Sequence, residues 1–167
     1  KRLASFAEAS GLKAKILGKK EIEQEKMGLL LAVNRGSAQD PALITLSHRG
    51  NPQKKEHIVL VGKGITYDTG GLNLKPADGM LTMKCDMAGA ATVLAAVQVA
   101  GQLDLKVNVT AVVPATENAI DAKSYKQGDV YRSKSGKTVE ITHTDAEGRL
   151  VLADAFSYAL EHLKPTM

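Results

Sequence analysis

The chain has 167 residues, a length that suits one well-packed domain, and 44% of its residues are hydrophobic while 24% are charged. The formal net charge of +4 arises from 22 basic and 18 acidic residues, so the basic excess is small. The lysines at positions 13–26 and 54–55 have no aromatic residues between them that could stack on bases. This composition favours a solvated basic face, and we expect no nucleic-acid partner.

The cysteine count and the hydropathy pattern exclude two further classes of protein. Cys85 is the only cysteine, which excludes an internal disulfide and is compatible with a cytoplasmic location. We find no signal peptide, and Thr92 and Gln98 interrupt the longest apolar run, at residues 88–100, so no membrane span is expected. Because the chain starts at Lys1 and ends soon after a predicted helix, we expect it to be part of a longer protein.

The first half of the chain alternates between predicted helices and strands. Residues 12–17 alternate apolar and charged side chains, as a half-buried strand does. Residues 57–61 form a continuous apolar run, which is typical of a strand covered on both faces. The predicted elements in order are a helix end over 2–10 closed by Gly11, a strand over 12–17, a helix over 22–33, and strands over 42–47 and 57–61.

The second half continues this alternation. Residues 86–100 form an Ala-rich helical pattern, and residues 148–163 form an amphipathic helical pattern that stops before Pro165. The remaining predicted elements are a buried strand over 107–113, a looser segment over 115–128, a short strand over 130–132 and a hairpin turn at Ser135 and Gly136. Strands that alternate with helices predict an α/β fold with a mixed, partly parallel central sheet flanked by helices.

Three short segments are dense in glycine and charge: VGKGITYDTGGLNLK, MKCDMAGAA and HTDAEGRL. Their carboxylates are ligands that hard or borderline divalent cations accept. The flanking sequence is apolar and has the pattern of buried strand and helix, where an unpaired carboxylate is costly. A shared metal site would explain why charges converge on the ends of buried elements. The charged residues are Lys63, Asp68, Lys75, Asp86, Asp145, Glu147 and Arg149.

The glycines around Lys63 raise the alternative of a phosphate-binding loop. Such a loop has a glycine five residues before the Gly-Lys pair and a serine or threonine directly after it. The corresponding positions in this chain are His57 and Gly64, and no GxGxxG motif follows the strand. The sequence therefore argues against nucleotide binding.

A dinuclear metal site fits the spacing better. Lys63 and Asp68 follow a buried strand, and α/β folds place ligand groups at the carboxyl ends of such strands. Asp86 opens the next helix, while Asp145 and Glu147 are two residues apart in a non-helical turn and can both point at one centre. Each carboxylate alone could instead be a helix cap or a surface charge, whereas the whole set indicates a metal site.

The same segments resemble the catalytic domain of the leucyl aminopeptidases, a cytosolic, hexameric family with two zinc ions. The motifs GKGITYDTGG, MKCDM and TDAEGRLVLAD occur in the family's order, and the resemblance runs from about residue 27 to residue 164. Tyr67, Thr69 and Ala88 differ from the residues common in the family but leave every ligand type intact. The resemblance implies that residues 1–167 are a partial catalytic domain, without the family's N-terminal domain and the C-terminal part of the catalytic domain.

The resemblance also implies a set of metal ligands. Asp68 and Glu147 would bridge two divalent metal ions, Asp145 would complete the ligands of one ion, and Lys63 and Asp86 would complete those of the other. Lysine binds a metal only as a neutral amine, so Lys63 would have to lose a proton that it normally holds up to about pH 10.4. Zn²⁺ is the first expectation, and Mn²⁺, Mg²⁺ or Co²⁺ could occupy the more exchangeable position because oxygen-rich ligation discriminates poorly among them.

Three residues match positions in the family that are not metal ligands. Lys75 and Arg149 match its two catalytic positions, and a lysine ammonium near a developing oxyanion would stabilise that charge. The Arg149 guanidinium suits a bicarbonate or carboxylate, and the resemblance suggests a bicarbonate there as the proton shuttle. Met83 matches a position that lines the pocket for the substrate's first side chain, with ordinary core packing as the alternative.

Two further residues near the motifs have simpler interpretations. Cys85 adjoins Asp86, but no histidine is placed to activate it as a nucleophile, so we expect a small packed residue. His143 stands where the family more often has asparagine and could contact the ligands of the metals. We expect it to be a hydrogen-bonded structural residue on a strand.

The expected function is that of a metal-dependent aminopeptidase, which releases N-terminal, preferably apolar residues such as leucine with a metal-bridging water as nucleophile. Peptides with a free N-terminus would be its substrates, and the full-length protein would be a cytoplasmic homohexamer with no membrane partner. Two alternatives stay open. One is a non-catalytic structural or basic, nucleic-acid-interacting module that retains the metal site, and the other is a dinuclear hydrolase that acts on a different ester or amide.

Overall fold

The central sheet is built around one long strand, β5 (Asn108–Asn118). On one side β2 (Ala42–Arg49) pairs with it in the antiparallel direction, and β1 (Lys13–Leu17) is antiparallel to β2. On the other side β3 (Ile58–Val61) and β4 (Gly64–Asp68) follow each other along β5, both parallel to it. The sheet is therefore mixed and partly parallel, which confirms the predicted fold class.

Helices and a separate hairpin surround this sheet. The computed structural model describes Ala7 and residues 11–167. Its helices are α1 (Lys19–Gln24), α2 (Gly28–Asn34), α3 (Ala77–Met80), α4 (Ala88–Gln102) and α5 (Glu147–His162). The remaining elements are 3₁₀ turns at Met83–Cys85 and Thr144–Ala146, and a hairpin of β6 (Val130–Arg132) and β7 (Thr138–Glu140).

Two apolar layers form on opposite faces of the sheet. Leu43 of β2 and Val112 of β5 belong to a buried cluster that includes residues of α2 and α5. Leu46 and Ala111, which stand on the same two strands, belong to a second cluster that includes residues of α4. Successive residues of a strand point to opposite faces, so one short apolar run can supply both layers. The result is a three-layer α/β/α arrangement.

The predicted helix over residues 22–33 is wrong in one respect, because it is broken in the middle. α1 ends at Gln24, Lys26 adopts a left-handed conformation with φ of 56°, and α2 starts at Gly28. A side chain at Gly28 would place its Cβ 2.1 Å from the carbonyl oxygen of Arg132, so the new helix starts where the backbone meets the hairpin. The apolar pattern continues across the break and gives no sign of it.

The predicted end of the central strand is also wrong, since β5 runs on through Pro114 to Asn118. Proline has no backbone N–H to donate to a ladder. The parallel pairing beside β5 is interrupted between Val61 and Gly64, opposite the stretch that contains Pro114. The strand tolerates the missing donor there, and it carries its last residues to the edge of the sheet where β4 ends.

The other predicted elements agree with the structure to within a few residues. The strands predicted at 12–17, 42–47 and 57–61 correspond to β1, β2 and β3, and the helices predicted at 86–100 and 148–163 correspond to α4 and α5. Gly136 lies in the turn of the β6–β7 hairpin, as predicted. The helix end predicted over residues 2–10 lies outside the described residues apart from Ala7.

The segment Ala77–Gln102 is long and apolar enough in composition to resemble a membrane-spanning helix. In the folded chain it bends between α3, the 3₁₀ turn and α4. α4 alone has 15 residues. At 1.5 Å per residue that length is about 22 Å, short of the hydrocarbon core of a bilayer at about 30 Å. We therefore interpret the segment as part of the folded domain, with the inner face of α4 packed on the sheet.

Asp154 of α5 connects α5 to α2 and to the hairpin. Its Oδ2 accepts the backbone N–H groups of Leu29 at 2.8 Å and Leu30 at 3.1 Å, and its Oδ1 accepts that of Lys134 at 2.8 Å. Burial raises the pKa of this fully buried carboxyl, and the three hydrogen bonds oppose that effect. Met27, which precedes α2, contributes no side-chain cap, so Asp154 provides the cap from across the core.

Replacement of Asp154 by alanine is expected to lower the free energy of unfolding by about 3 kcal/mol, because three backbone N–H groups lose their acceptor. Asp154→Asn keeps one acceptor oxygen and should lose less. Urea denaturation followed by circular dichroism measures both changes. The exposed Asp40, replaced by alanine, is the control, with an expected change within about 0.5 kcal/mol. Equal losses for Asp154→Ala and Asp40→Ala would contradict the capping role.

Candidate metal centre

Charged side chains from separate segments meet at the carboxyl ends of the parallel strands. Lys63 lies between β3 and β4, Asp68 is the last residue of β4, and Glu147 is the first residue of α5. Asp86 lies between the first 3₁₀ turn and α4. The carboxyl ends of parallel strands share one edge of a sheet, and such edges are where α/β folds bind ligands.

Lys63 lies between two carboxylates. Its Nζ is 2.6 Å from Asp86 Oδ2 and 2.6 Å from Glu147 Oε1. Burial by itself lowers the pKa of Lys63, but the hydrogen bonds to Asp86 and Glu147 outweigh burial and the pKa is raised. Lys63 is thus a cation in this arrangement, and it would exchange its proton and these contacts for a metal if it became a ligand.

Lys75 lies between the other two carboxylates. Its Nζ is 3.1 Å from Asp68 Oδ2 and 2.5 Å from Asp145 Oδ1. Burial lowers the pKa of Lys75, and the contacts with Asp145 and Asp68 raise it by more. Asp145 Oδ1 is buried and, although close to the ammonium, is not aligned for a hydrogen bond with any described group. This oxygen would have to exchange its contact with Lys75 for a metal if Asp145 became a ligand.

Asp68, Asp86 and Glu147 form a compact acidic group. One oxygen of each lies within 4.8 Å of the others, and the side chains of Asp68 and Glu147 are only 3% and 1% exposed. Burial raises the pKa of Glu147, and the hydrogen bond from Lys63 opposes this only in part. With Asp145, the four carboxylates and two ammonium groups carry a formal charge of −2. Divalent cations relieve such a buried negative charge, and these donor types fit them.

The loop between Asp68 and Lys75 turns through two glycines. Gly70 and Gly71 have φ of 86° and 64°, a region that other residues rarely adopt. A side chain at Gly70 would also place its Cβ 2.5 Å from the carbonyl oxygen of Asn73. The turn lets the Gly70 N–H donate to Asp68 Oδ1 at 2.9 Å, and it returns Lys75 to the cluster.

Neutral polar residues brace the site, and sequence analysis missed them. Thr144 is fully buried; its Oγ1 donates to the Gly70 carbonyl at 2.7 Å and accepts the Asn73 N–H at 2.8 Å. Its carbonyl oxygen accepts the Tyr125 hydroxyl at 2.6 Å and the Asn118 side-chain amide at 3.1 Å. Had the end of β5 been predicted correctly, Asn118 would have stood beside Asp68 as a polar residue at a strand end. Polar residues at strand ends are the sequence signal for such sites.

The structure leaves two of the sequence-predicted residues at the periphery of the cluster. Arg149 is exposed on the first turn of α5 and lines a groove with His143 and Ala146; within the described chain it forms no ion pair. Met83 is half-buried in the 3₁₀ turn that precedes Asp86. Their roles stay predictions.

Two further expectations have different outcomes. The prediction of a packed Cys85 is wrong, because this residue is exposed at the end of a one-turn 3₁₀ helix. His143 is hydrogen bonded, as expected, with its Nδ1 accepting the Asp145 N–H at 3.2 Å. It lies just before a 3₁₀ turn rather than within a strand, so its ring caps the turn that presents Asp145.

Comparison with known protein families and sequences gives one consistent result. The model of the cytosol aminopeptidase family, catalytic domain, matches residues 1–167. A probable cytosol aminopeptidase of Protochlamydia amoebophila is 60% identical over 155 residues, which are 93% of this chain and 31% of that protein. A probable cytosol aminopeptidase of Chlamydia abortus is 63% identical over 153 residues, which are 92% of this chain and 31% of that protein.

Solved structures show the same similarity in three dimensions. The leucine aminopeptidase of Caenorhabditis elegans has a TM-score of 0.93 and 40% identity, over 99% of this chain and 34% of that one. The leucyl aminopeptidase of Trypanosoma brucei, solved in complex with bestatin, has a TM-score of 0.89 and 38% identity, over 97% of this chain and 31% of that one.

The chain spans 31% of the length of the curated relatives it matches. The family match nevertheless covers all of its residues, including those of the buried acidic group and both lysines that contact it. By sequence and by fold, the chain belongs to the cytosol aminopeptidase family.

Proposed function

We propose that this chain forms the metal-binding part of an aminopeptidase that removes N-terminal, preferably apolar, residues from peptides. The observation that carries the proposal is the acidic group of Asp68, Asp86 and Glu147, in which one oxygen of each side chain lies within 4.8 Å of the others and Asp68 and Glu147 are buried. Two lysines only partly compensate its charge. A fold can retain such a costly arrangement when divalent cations complete it.

The pairing of the side chains supports an assignment of ligands. Asp68 and Glu147 are the most buried carboxylates of the cluster and would be shared between two ions. Lys63 and Asp86, which already contact each other, would complete one ion. Asp145, whose buried Oδ1 contacts Lys75, would complete the other. Zn²⁺ is the first candidate, with Mn²⁺, Mg²⁺ or Co²⁺ as exchangeable alternatives.

Residues of the chain would contribute the remaining chemistry. Two divalent ions held by these residues would supply a water nucleophile with a pKa near neutrality and a binding point for the substrate's free α-amine. Lys75 has a side chain 17% exposed, so its ammonium is largely desolvated yet reachable, and it would stabilise the oxyanion that forms on the peptide carbonyl. Arg149 would hold a bicarbonate that moves the proton, and its exposure leaves the guanidinium accessible to a small anion.

The names of the relatives support the substrate class. Proteins similar over this chain are probable cytosol aminopeptidases and leucine aminopeptidases. We extend the same proposal to residues 1–167 as part of a catalytic domain, to a homohexameric full-length protein and to a cytoplasmic location. Met83 would line the pocket for the substrate's first side chain, beside Asp86.

Substitution Asp68→Ala is expected to remove most of the bound metal, because it deletes a ligand shared by both ions. The measurement is metal content of the full-length protein after loading with Zn²⁺ or Mn²⁺ and desalting. The unsubstituted protein should retain about two equivalents per chain. Asp78→Ala, which changes an exposed carboxylate in α3, should retain the same amount. A full complement of metal in Asp68→Ala would overturn the ligand assignment.

Substitution Lys75→Ala is expected to keep the metals and to lower kcat by about 10²–10³-fold, since one donor to the oxyanion is lost. Steady-state hydrolysis of a leucine peptide by the full-length protein, with metal content measured in parallel, tests both parts. Lys137→Ala in the β6–β7 hairpin is the control for removal of an exposed lysine. If Lys75→Ala emptied the site of metal, its assigned role as a non-ligand would be wrong.

The requirement for a free N-terminus provides an independent test. A leucine peptide should be hydrolysed. The same peptide with an acetylated α-amine should be hydrolysed at least about 10²-fold more slowly, because the binding point for the free amine is left without its partner. Chromatographic separation of the products measures both rates. Equal rates would favour a dinuclear hydrolase of another amide or ester class.

A further inference from the structure

We propose that Asn118 is a positioning residue, whose side-chain amide holds the Asp68 and Glu147 carboxylates in the orientation that binds metal. This inference rests on the proposed function, because it concerns the ligands of the same site. Asn118 is the last residue of β5 and is fully buried. It has no charge, so it can orient two anions without taking the place of a cation.

The contacts of the amide nitrogen carry the proposal. Asn118 Nδ2 is 2.8 Å from Asp68 Oδ1, 3.1 Å from the Thr144 carbonyl oxygen and 3.4 Å from Glu147 Oε2. All three partners are acceptors, so the nitrogen and not the oxygen must face them. An amide has two hydrogens, which makes the two shorter contacts the principal bonds and leaves the third weaker.

The two carboxylates are divided in the same way between the amide and the lysines. Asp68 has Oδ1 on Asn118 and Oδ2 on Lys75. Glu147 has Oε2 towards Asn118 and Oε1 on Lys63. One oxygen of each carboxylate thus faces the Asn118 amide at the end of β5, while the other oxygen contacts a lysine. Hydrogen bonds of this kind around metal ligands fix the ligand orientation and tune its affinity.

The backbone of Asn118 is itself firmly placed. Asn118 pairs with Asp68 in the register of β4 and β5, and its carbonyl oxygen accepts the Thr69 N–H at 2.9 Å and the Thr69 hydroxyl at 2.8 Å. Movement of the amide would therefore require the end of the central strand to move. A side chain so anchored can hold neighbouring carboxylates against their mutual repulsion.

The chain provides a matched control at the opposite end of the same strand. Asn108 is the first residue of β5, is 3% exposed and donates from Nδ2 to the carbonyl oxygens of Asn51, Lys54 and Glu56. It braces a loop with its amide as Asn118 braces the site, but its partners are backbone carbonyls instead of carboxylates.

The test is the affinity of the full-length protein for Zn²⁺ and Mn²⁺, measured by competition with a chelator, for the parent, Asn118→Ala and Asn108→Ala. Asn118→Ala should bind metal about 10–100-fold more weakly, the range for loss of a partner behind a ligand. Asn108→Ala should lower the stability of the metal-free protein but keep the parent affinity to within about 3-fold. Excess metal should restore most of the kcat of Asn118→Ala. Excess metal would not restore kcat if the substitution had unfolded the protein.

Each outcome bears on a distinct claim. Parent-like metal affinity in Asn118→Ala, or equal weakening in Asn118→Ala and Asn108→Ala, would overturn the positioning role. If Asn118→Ala does not fold, Asn118→Thr replaces it, since threonine suits a strand and is too short to reach both carboxylates; parent affinity there would refute the proposal. Absence of bound metal in the parent would instead refute the proposed function.

Discussion

The structure depends on one electrostatic constraint, the burial of several carboxylates at a single edge of the sheet. Asp68 and Glu147 are almost inaccessible to water, and such charges need partners. Lys63 and Lys75 approach from the outer side, and Asn118 approaches from the central strand. The position of β5, the glycine turn after β4 and the start of α5 all serve to bring these groups within hydrogen-bonding distance.

Local pattern predicted most of the architecture, because most elements carry their own signal. The alternation before Leu17 and the apolar run ending at Val61 led directly to β1 and β3. The break between α1 and α2 has no such signal. It depends on Asp154, which accepts the backbone N–H of Leu29 and so caps α2. Asp154 lies 125 residues further along the chain than Leu29. A helix boundary set by so distant a side chain is a property of the packed core and not of the local sequence.

The site was predictable to the extent that its residues are charged. Carboxylates and lysines at the ends of apolar runs stand out in a sequence, since burial of a charge requires a reason. Asn118 and Thr144 are neutral, and residues of these types usually lie in turns or on surfaces, so nothing distinguishes them before the strands are paired. The catalytic role of Arg149 was predicted from family resemblance, and its exposed position adds no contact that physical reasoning could have found.

The central place of β5 has a consequence for biogenesis. During synthesis β2, β3 and β4 leave the ribosome before β5, the strand with which all three pair, so one edge of each waits for a shared partner. The acidic group is incomplete for longer still, because Glu147 is translated after every strand of the central sheet. The proposed metal site can therefore be completed only after the central sheet has been translated and α5 has begun.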